Sequence, residues 1–320
     1  MKRILAVIAV VLLSVACGGT NERTEVKTRP FPLPEAPGMI TDMLERQEYL
    51  TAHYWDSFFE GDWQTDSAYV LGVPDEEVEK NISAFIMLLD GLPMDTAREN
   101  VARLFSKIEG KQAADTSSLV YLRMTELVSK YLYDPNSPLR SEDYYLPFVE
   151  GMAKSRFTDD LRRAGYEFEL SKCLLNPYGS KVPDFGFRDL SGRSSTLYAV
   201  DADYTMLFFS NPGCNYCRSI IDEIGSRPYV DDLIADGSLA IVNIYIDGEV
   251  DKWREYAPIY PENWINAYDY AQSINNEGLY FVRAIPSIYL LDGEKRVIYK
   301  DAPLEKVLAF FDNLTGYNNY

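Results

Sequence analysis

The chain has 320 residues, with 49 acidic side chains against 31 Lys and Arg, and a formal net charge of −18. Such acidity argues against nucleic acid or anionic lipid as a partner, because phosphates need cations to bind them. A single histidine, His53, makes His-rich metal sites and Cys–His or Ser–His hydrolases poor readings. No glycine-rich loop that could cradle a phosphate occurs, so neither metal nor cofactor is expected.

The chain starts Met1-Lys2-Arg3, continues as an apolar run over residues 4–13 and reaches the small residues Ser14-Val15-Ala16. A basic start, a short apolar core and small residues before a break read as a secretory signal. The run is too short to span a bilayer, which takes ~20 apolar residues. Cys17 directly after Ala16 makes the segment look like a bacterial lipoprotein signal, cut before Cys17, which is then lipidated. A secreted chain with a free Cys17 is the alternative. Residues 17–38 end in Arg29-Pro30-Phe31-Pro32-Leu33-Pro34-Glu35-Ala36-Pro37-Gly38 and are expected to form an extended tether.

Residues 39–175 read as an all-helical domain. Val78, Ile82, Phe85, Ile86 and Leu89 fall at helical spacing, as do Val101, Leu104, Phe105 and Ile108, and again Val120, Met124, Leu127, Val128 and Leu132. Breaks are expected at Gly91-Leu92-Pro93, at Gly110 and over residues 134–138. Ser141 is placed to cap a helix carrying Tyr144, Tyr145, Phe148, Val149 and Met152, and a last helix covers roughly 159–175. His53 is expected to pack on a helix. Cys173 has an apolar helical context and reads as a buried, inert thiol rather than a third redox group.

The second half has a different rhythm. Residues 182–198 alternate around a Ser191-Gly192 turn and predict a hairpin. An apolar strand over 204–209 then meets Ser210-Asn211-Pro212-Gly213-Cys214-Asn215-Tyr216-Cys217-Arg218 and a helix with Ile220, Ile221 and Ile224 on its inner face. A cysteine at a helix N-terminus sits among unpaired N–H groups, which stabilise a thiolate. Cys214 is therefore read as the attacking thiol, and Cys217, one turn on, as the buried resolving thiol. Two other readings compete. The pair could be half a zinc site, although zinc wants four ligands and only Cys173 and His53 remain besides Cys17. It could also be an inert structural disulfide. A second buried strand covers 239–246, an insert with Trp253 and Trp264 follows over 247–282, and Ile285-Pro286 opens a hairpin over 287–299. A helix over 304–314 closes the chain.

A cysteine pair on a strand–helix unit, then a strand, then Ile-Pro before a hairpin and a final helix resembles the thioredoxin fold. In that family the proline is cis and lies beside the cysteines, and the residue before it, here Ile285, pairs with substrate chain. Residues 180–320 resemble the membrane-tethered TlpA-like (ResA-like) thiol-disulfide oxidoreductases through Pro183-Asp184-Phe185, Asp189-x-x-Gly192, the CxxC and Ile285-Pro286. The whole chain resembles a group of Bacteroidetes lipoproteins with an uncharacterised helical domain before the thioredoxin-like one. Tyr54-Trp55-Asp56, Tyr133-x-Pro135-Asn136-Ser137-Pro138 and Asn176-Pro177-x-Gly179 carry that resemblance, with Phe209 to Cys214 and Tyr289-Leu290-Leu291-Asp292.

The resemblance implies an α/β thioredoxin-like domain over 176–320, a central mixed sheet flanked by helices, after the all-α domain. It implies thiol-disulfide exchange with envelope proteins, a membrane redox partner, and a lipid-anchored place in the bacterial envelope, with the periplasmic face of the outer membrane expected and surface exposure the alternative. The family's usual Trp before the first cysteine is Gly213 here. The dipeptide Asn215-Tyr216 stands between the cysteines, and with Pro212 and Gly213 it is expected to tune the potential. The family's proton-transfer acid has no assigned position; Asp201, Asp203 and Glu223 are candidates by sequence proximity alone. A non-catalytic binding module is the alternative function. A peroxide-reducing enzyme is a third, but it predicts Thr where Asn211 stands.

Overall fold

The computed structural model describes residues 27–317. The leader and Cys17 lie outside the described residues. The first domain contains α1 (Met43–His53), α2 (Asp56–Phe59), β1 (Tyr69–Val70), β2 (Val73–Pro74), α3 (Asp75–Leu89), α4 (Met94–Ala114), α5 (Val120–Leu132), α6 (Glu142–Lys154) and α7 (Asp160–Cys173).

Local chemistry explains the helix starts. Asp42, Ser141 and Asp159 accept first-turn N–H groups at α1, α6 and α7. Pro74 and Pro93 precede α3 and α4, where a missing N–H costs nothing. The three expected stripes bury their apolar faces into one core with Tyr145, Phe148 and Met152 of α6.

Three details differ from the expectation. α4 runs through Gly110 to Ala114. A lone glycine costs a helix only about 1 kcal/mol, and Gly110 does not adopt the left-handed conformation that would end it. The helical domain also holds a two-residue hairpin, β1–β2, turned by Leu71 and Gly72 with φ of 51° and 76°. The start of the proline-rich stretch, Arg29 to Phe31, is docked rather than free. The Arg29 guanidinium donates to the carbonyls of Leu71 and Phe58, and the Phe31 ring stacks on Phe58 at 5.2 Å and is buried.

The second domain contains β3 (Gly186–Asp189), β4 (Ser194–Thr196), β5 (Tyr204–Phe209), α8 (Asn215–Gly225), α9 (Pro228–Ala235), β6 (Leu239–Tyr245), α10 (Val250–Tyr256), β7 (Ile265–Tyr268), α11 (Ser273–Asn276), β8 (Ser287–Asp292), β9 (Val297–Tyr299) and α12 (Leu304–Thr315). Its sheet has the order β4-β3-β7-β6-β5-β8-β9. β5 is an interior strand, parallel to β6 and antiparallel to β8. Alternation along β5 sends Met206 and Phe208 to a core under α8 and α12, and Leu207 and Phe209 to a core on the other face. The insert supplies β7, a strand not expected from the sequence. It pairs parallel with β6 and antiparallel with β3, and so joins the β3–β4 hairpin to the sheet.

No helix among the described residues is long and apolar enough to cross a membrane. The two domains meet along a seam where Arg140 donates to the Asp301 and Ala302 carbonyls and Lys306 donates to Asp90 at 2.7 Å.

Candidate redox site

β5 delivers the chain to the end of the sheet, where four residues turn it into α8. Pro212 and Gly213 are the central pair of this turn. Gly213 has φ +74°, and the Cys214 N–H closes the turn on the Asn211 carbonyl at 3.3 Å. Proline then a left-handed glycine is the chemistry of a type II turn. A β-carbon at residue 213 would also stand 3.3 Å from the Tyr256 hydroxyl. This is a physical reason for glycine where the resembling family has Trp: Tyr256 of the insert occupies the space.

Cys214 is the N-cap of α8, and its Sγ accepts the Cys217 N–H at 3.2 Å. Cys214 is half-buried, whereas Cys217 is 2% exposed among Ile220, Ile221 and Ile224. Burial pushes the Cys217 thiol from 9.0 up to about 12. The folded chain holds that proton more tightly than the unfolded chain. The reduced protein is therefore expected to lose stability as pH rises from about 9 to about 12.

Asn215 and Tyr216 are exposed on the first turn of α8. The register of β8 against β5 pairs Ser287 with Phe209, so Pro286 falls at the same sheet end as the cysteines. The Ile285–Pro286 peptide is cis, and Ile285 packs against the cluster that holds Cys217.

Asp201 and Asp203 precede β5 at its far end, roughly 20 Å from its cysteine end at ~3.3 Å per residue. Glu223 points outward and pairs with Arg227 at 3.1 Å. None of the three is therefore placed at the cysteine end of the sheet. That end carries polar groups which the sequence reading missed. The Ser210 hydroxyl donates to Asn243 Oδ1, Asn243 Nδ2 donates to Asn266 Oδ1 at 3.0 Å, and Asn211 Nδ2 donates to Asp247 at 3.0 Å. Tyr260 is buried in the same core as Cys217, and burial raises its phenol pKa.

Cys173 lies in the helical domain, 1% exposed, and burial raises its thiol well above the ordinary range. His53 ends α1 in an exposed position, 2.7 Å from Asp56. It packs on the Tyr49 ring, 4.4 Å away, at the surface of α1. Among the described residues no three His, Cys, Asp or Glu side chains gather to hold a metal. Two grooves, of about 640 and 830 Å³, open at the domain seam and beside the β3–β4 turn, and neither is lined by Cys214 or Cys217. Attack on a disulfide needs an accessible sulfur rather than an enclosing cavity.

Iodoacetamide near neutral pH is expected to label Cys214 at least about tenfold faster than Cys217. Cys173 should label only after denaturant is added. Equal rates at Cys214 and Cys217 would contradict the burial difference.

A cysteine-capped helix after an interior strand, with an X-Pro hairpin beside it, makes this second domain thioredoxin-like. A thioredoxin-like protein from Bacteroides caccae ATCC 43185, seen by crystallography, is 32% identical, and the match covers 91% of this chain and all of that one with a TM-score of 0.74. The family profile described as "Domain of unknown function (DUF5106)" matches residues 16–176, and the chain belongs to that family. The C-terminal domain of an uncharacterized protein from Bacteroides fragilis NCTC 9343 is 39% identical over 42% of this chain and 96% of its own, with a TM-score of 0.41. A domain of a possible thiol-disulfide isomerase from Cytophaga hutchinsonii ATCC 33406 is 25% identical over 43% of this chain and 93% of its own, with a TM-score of 0.36. No curated protein matches the chain.

Proposed function

We propose that the chain is a thiol-disulfide oxidoreductase of the bacterial cell envelope. The observation that supports this best is the half-exposed Cys214 sulfur at the N-terminus of α8, one turn from a buried partner thiol. In the reducing direction, the Cys214 thiolate attacks one sulfur of a substrate disulfide. The substrate S–S bond breaks, the departing sulfur takes a proton, and Cys214 is left in a mixed disulfide. Cys217 loses its proton and attacks Cys214 Sγ, which forms the Cys214–Cys217 disulfide and releases the second substrate thiol. Two electrons pass to the substrate, and a membrane dithiol partner restores the pair. The oxidising direction is the same sequence reversed.

In this reading Ile285 and Pro286 receive the substrate chain, while Pro212, Gly213, Asn215 and Tyr216 tune the pair. The exposed rings of Tyr216 and Tyr256 offer apolar surface beside Cys214 for unfolded or extended protein. Envelope proteins with disulfides or thiols are the proposed substrates. Cys17 carries the lipid that anchors the chain at the periplasmic face of the outer membrane. Replacing Cys17 with Ser is expected to move the chain from the membrane fraction to the soluble one; retention in the membrane would reject lipid anchoring.

The test of the function is equilibration with glutathione or dithiothreitol buffers. The Cys214–Cys217 pair should titrate reversibly as a two-electron couple. A potential near about −250 mV or below marks a reductant, and one near about −120 mV an oxidant. A pair that never cycles sinks the proposal in favour of a binding module.

A further inference from the structure

The eight residues before Ser287 form a strap along the domain seam, and the helical domain holds it at several points. At its start, Asn176, in the linker just beyond the helical domain, donates from Nδ2 to the Leu279 carbonyl at 2.8 Å. The Phe281 ring meets Phe168 of α7 edge-on at 6.0 Å, with the Lys172 ammonium 5.1 Å from its centre. Arg283 lies 4.3 Å above the Tyr133 ring and donates to the Tyr133 carbonyl.

Arg283 is also clamped between two carboxylates. Its Nε is 3.1 Å from Glu142 of α6, and its Nη2 donates to Asp301 at 2.7 Å. The other Asp301 oxygen accepts the Ser287 hydroxyl at 2.8 Å, and Ser287 directly follows Pro286. Lys300 closes the cluster, 2.6 Å from Glu142 and donating to the Lys172 carbonyl at the end of α7. All four charged side chains are at most 7% exposed. Buried ion pairs of this kind are poor sources of net stability, because desolvation offsets their attraction. Their geometry is nonetheless demanding, since each charge needs its partners in place. A chain of contacts thus runs from the first turn of α6 through Arg283 and Asp301 to the residue beside Pro286.

We infer that Arg283 is a positioning residue for the redox site, through which the helical domain fixes the shape of the Ile285–Pro286 segment that receives substrate. The inference rests on the proposed exchange activity for its functional half. Its structural half, that Glu142 of one domain constrains Ser287 of the other, stands without it. The helical domain is in this view a brace built into the enzyme, and a protein substrate meets a surface that both domains shape. Small reagents that need only the Cys214 sulfur are indifferent to the brace.

The experiment compares the full chain with Glu142→Gln, which keeps the shape of the side chain and removes its charge. Two readouts are taken: reduction of insulin disulfides with dithiothreitol as electron source, and hydrogen exchange at the Ser287 amide. The variant is expected to raise KM for insulin about tenfold, leaving iodoacetamide labelling of Cys214 and the glutathione potential unchanged. Exchange at Ser287 should accelerate about tenfold, with α8 unaffected. Arg283→Lys keeps the charge but loses the planar fork and should fall between wild type and Glu142→Gln; it carries the test if Glu142→Gln does not fold. Wild-type insulin kinetics and wild-type Ser287 exchange in a folded variant would overturn the inference. A wild-type chain inert toward insulin would count against the exchange reading, and the Ser287 exchange rate alone would then decide whether the brace exists.

Discussion

Cys217→Ser is expected to accumulate mixed disulfides on Cys214 and to lose at least about a thousandfold in turnover. The reason is the division of labour that burial imposes. In the proposed exchange the accessible Cys214 would meet the substrate, while Cys217 sits beneath it with its thiol held protonated by an apolar surround. Once the mixed disulfide forms, resolution is an intramolecular attack by a neighbour one helical turn away. Well-oriented intramolecular reactions reach effective molarities of about 10⁵ M or more, which millimolar external thiol cannot match. Serine fits the space of Cys217 but offers no competent nucleophile. The adducts should be separable on non-reducing gels, and their partners would identify the substrates. Cys214→Ser should form none. A Cys217→Ser chain that turns over like wild type would exclude the two-thiol mechanism.

The second large effect lies far from the cysteines. Phe148→Ala is expected to destabilise the chain by about 3–5 kcal/mol, the usual cost of emptying a fully buried phenyl site. Phe148 is completely buried on α6 and meets Phe105 of α4 edge-on at 5.2 Å. The approach of the two helices depends on Gly151, where an added β-carbon would lie 2.4 Å from the Phe105 ring. Neighbours so tightly placed cannot collapse into the vacancy. The seam makes the effect global: Glu142 and Lys300 belong to different domains and are each other's buried partner. Cys173 and Cys217 are natural reporters, one buried in each domain. Both should become alkylated at the same, lowered denaturant concentration. Cys173 reacting well before Cys217 would show the domains to unfold separately.

Much of this architecture can be read from the chain because its signals are local. The stripe Val78, Ile82, Phe85, Ile86, Leu89 states its helix through spacing alone, and α3 buries those residues. Pro212-Gly213 states a turn, and Ile285-Pro286 a strand entry. β7 was not legible. In Ile265-Asn266-Ala267-Tyr268 two good strand formers flank two poor ones, a run too short and mixed to state a strand by itself, and it becomes one because β6 and β3 offer it edges. Gly110 misled because glycine ends a helix only when the chain turns left-handed there. Asp201, Asp203 and Glu223 misled because nearness in sequence to a strand's start or a helix's outer face is not nearness to the sulfur. Glu142, Arg283, Lys300 and Asp301 share no spacing or motif. Their meeting is set by how two domains dock, which no window of sequence contains.

Gly213 and Tyr256 form one spatial unit. The ring of one fills the emptiness left by the other, although 42 residues of sequence intervene. Transplanting a foreign Trp-Cys-x-x-Cys cassette into this scaffold would set a large side chain against an existing phenol and ask a left-handed backbone to accept a β-carbon. A graft that also trims Tyr256 removes the first conflict and leaves only the second. Under the proposed exchange activity, changing the residue before Cys214 is thus a two-position problem, because the space at 213 is set by Tyr256 of the insert as well as by the motif.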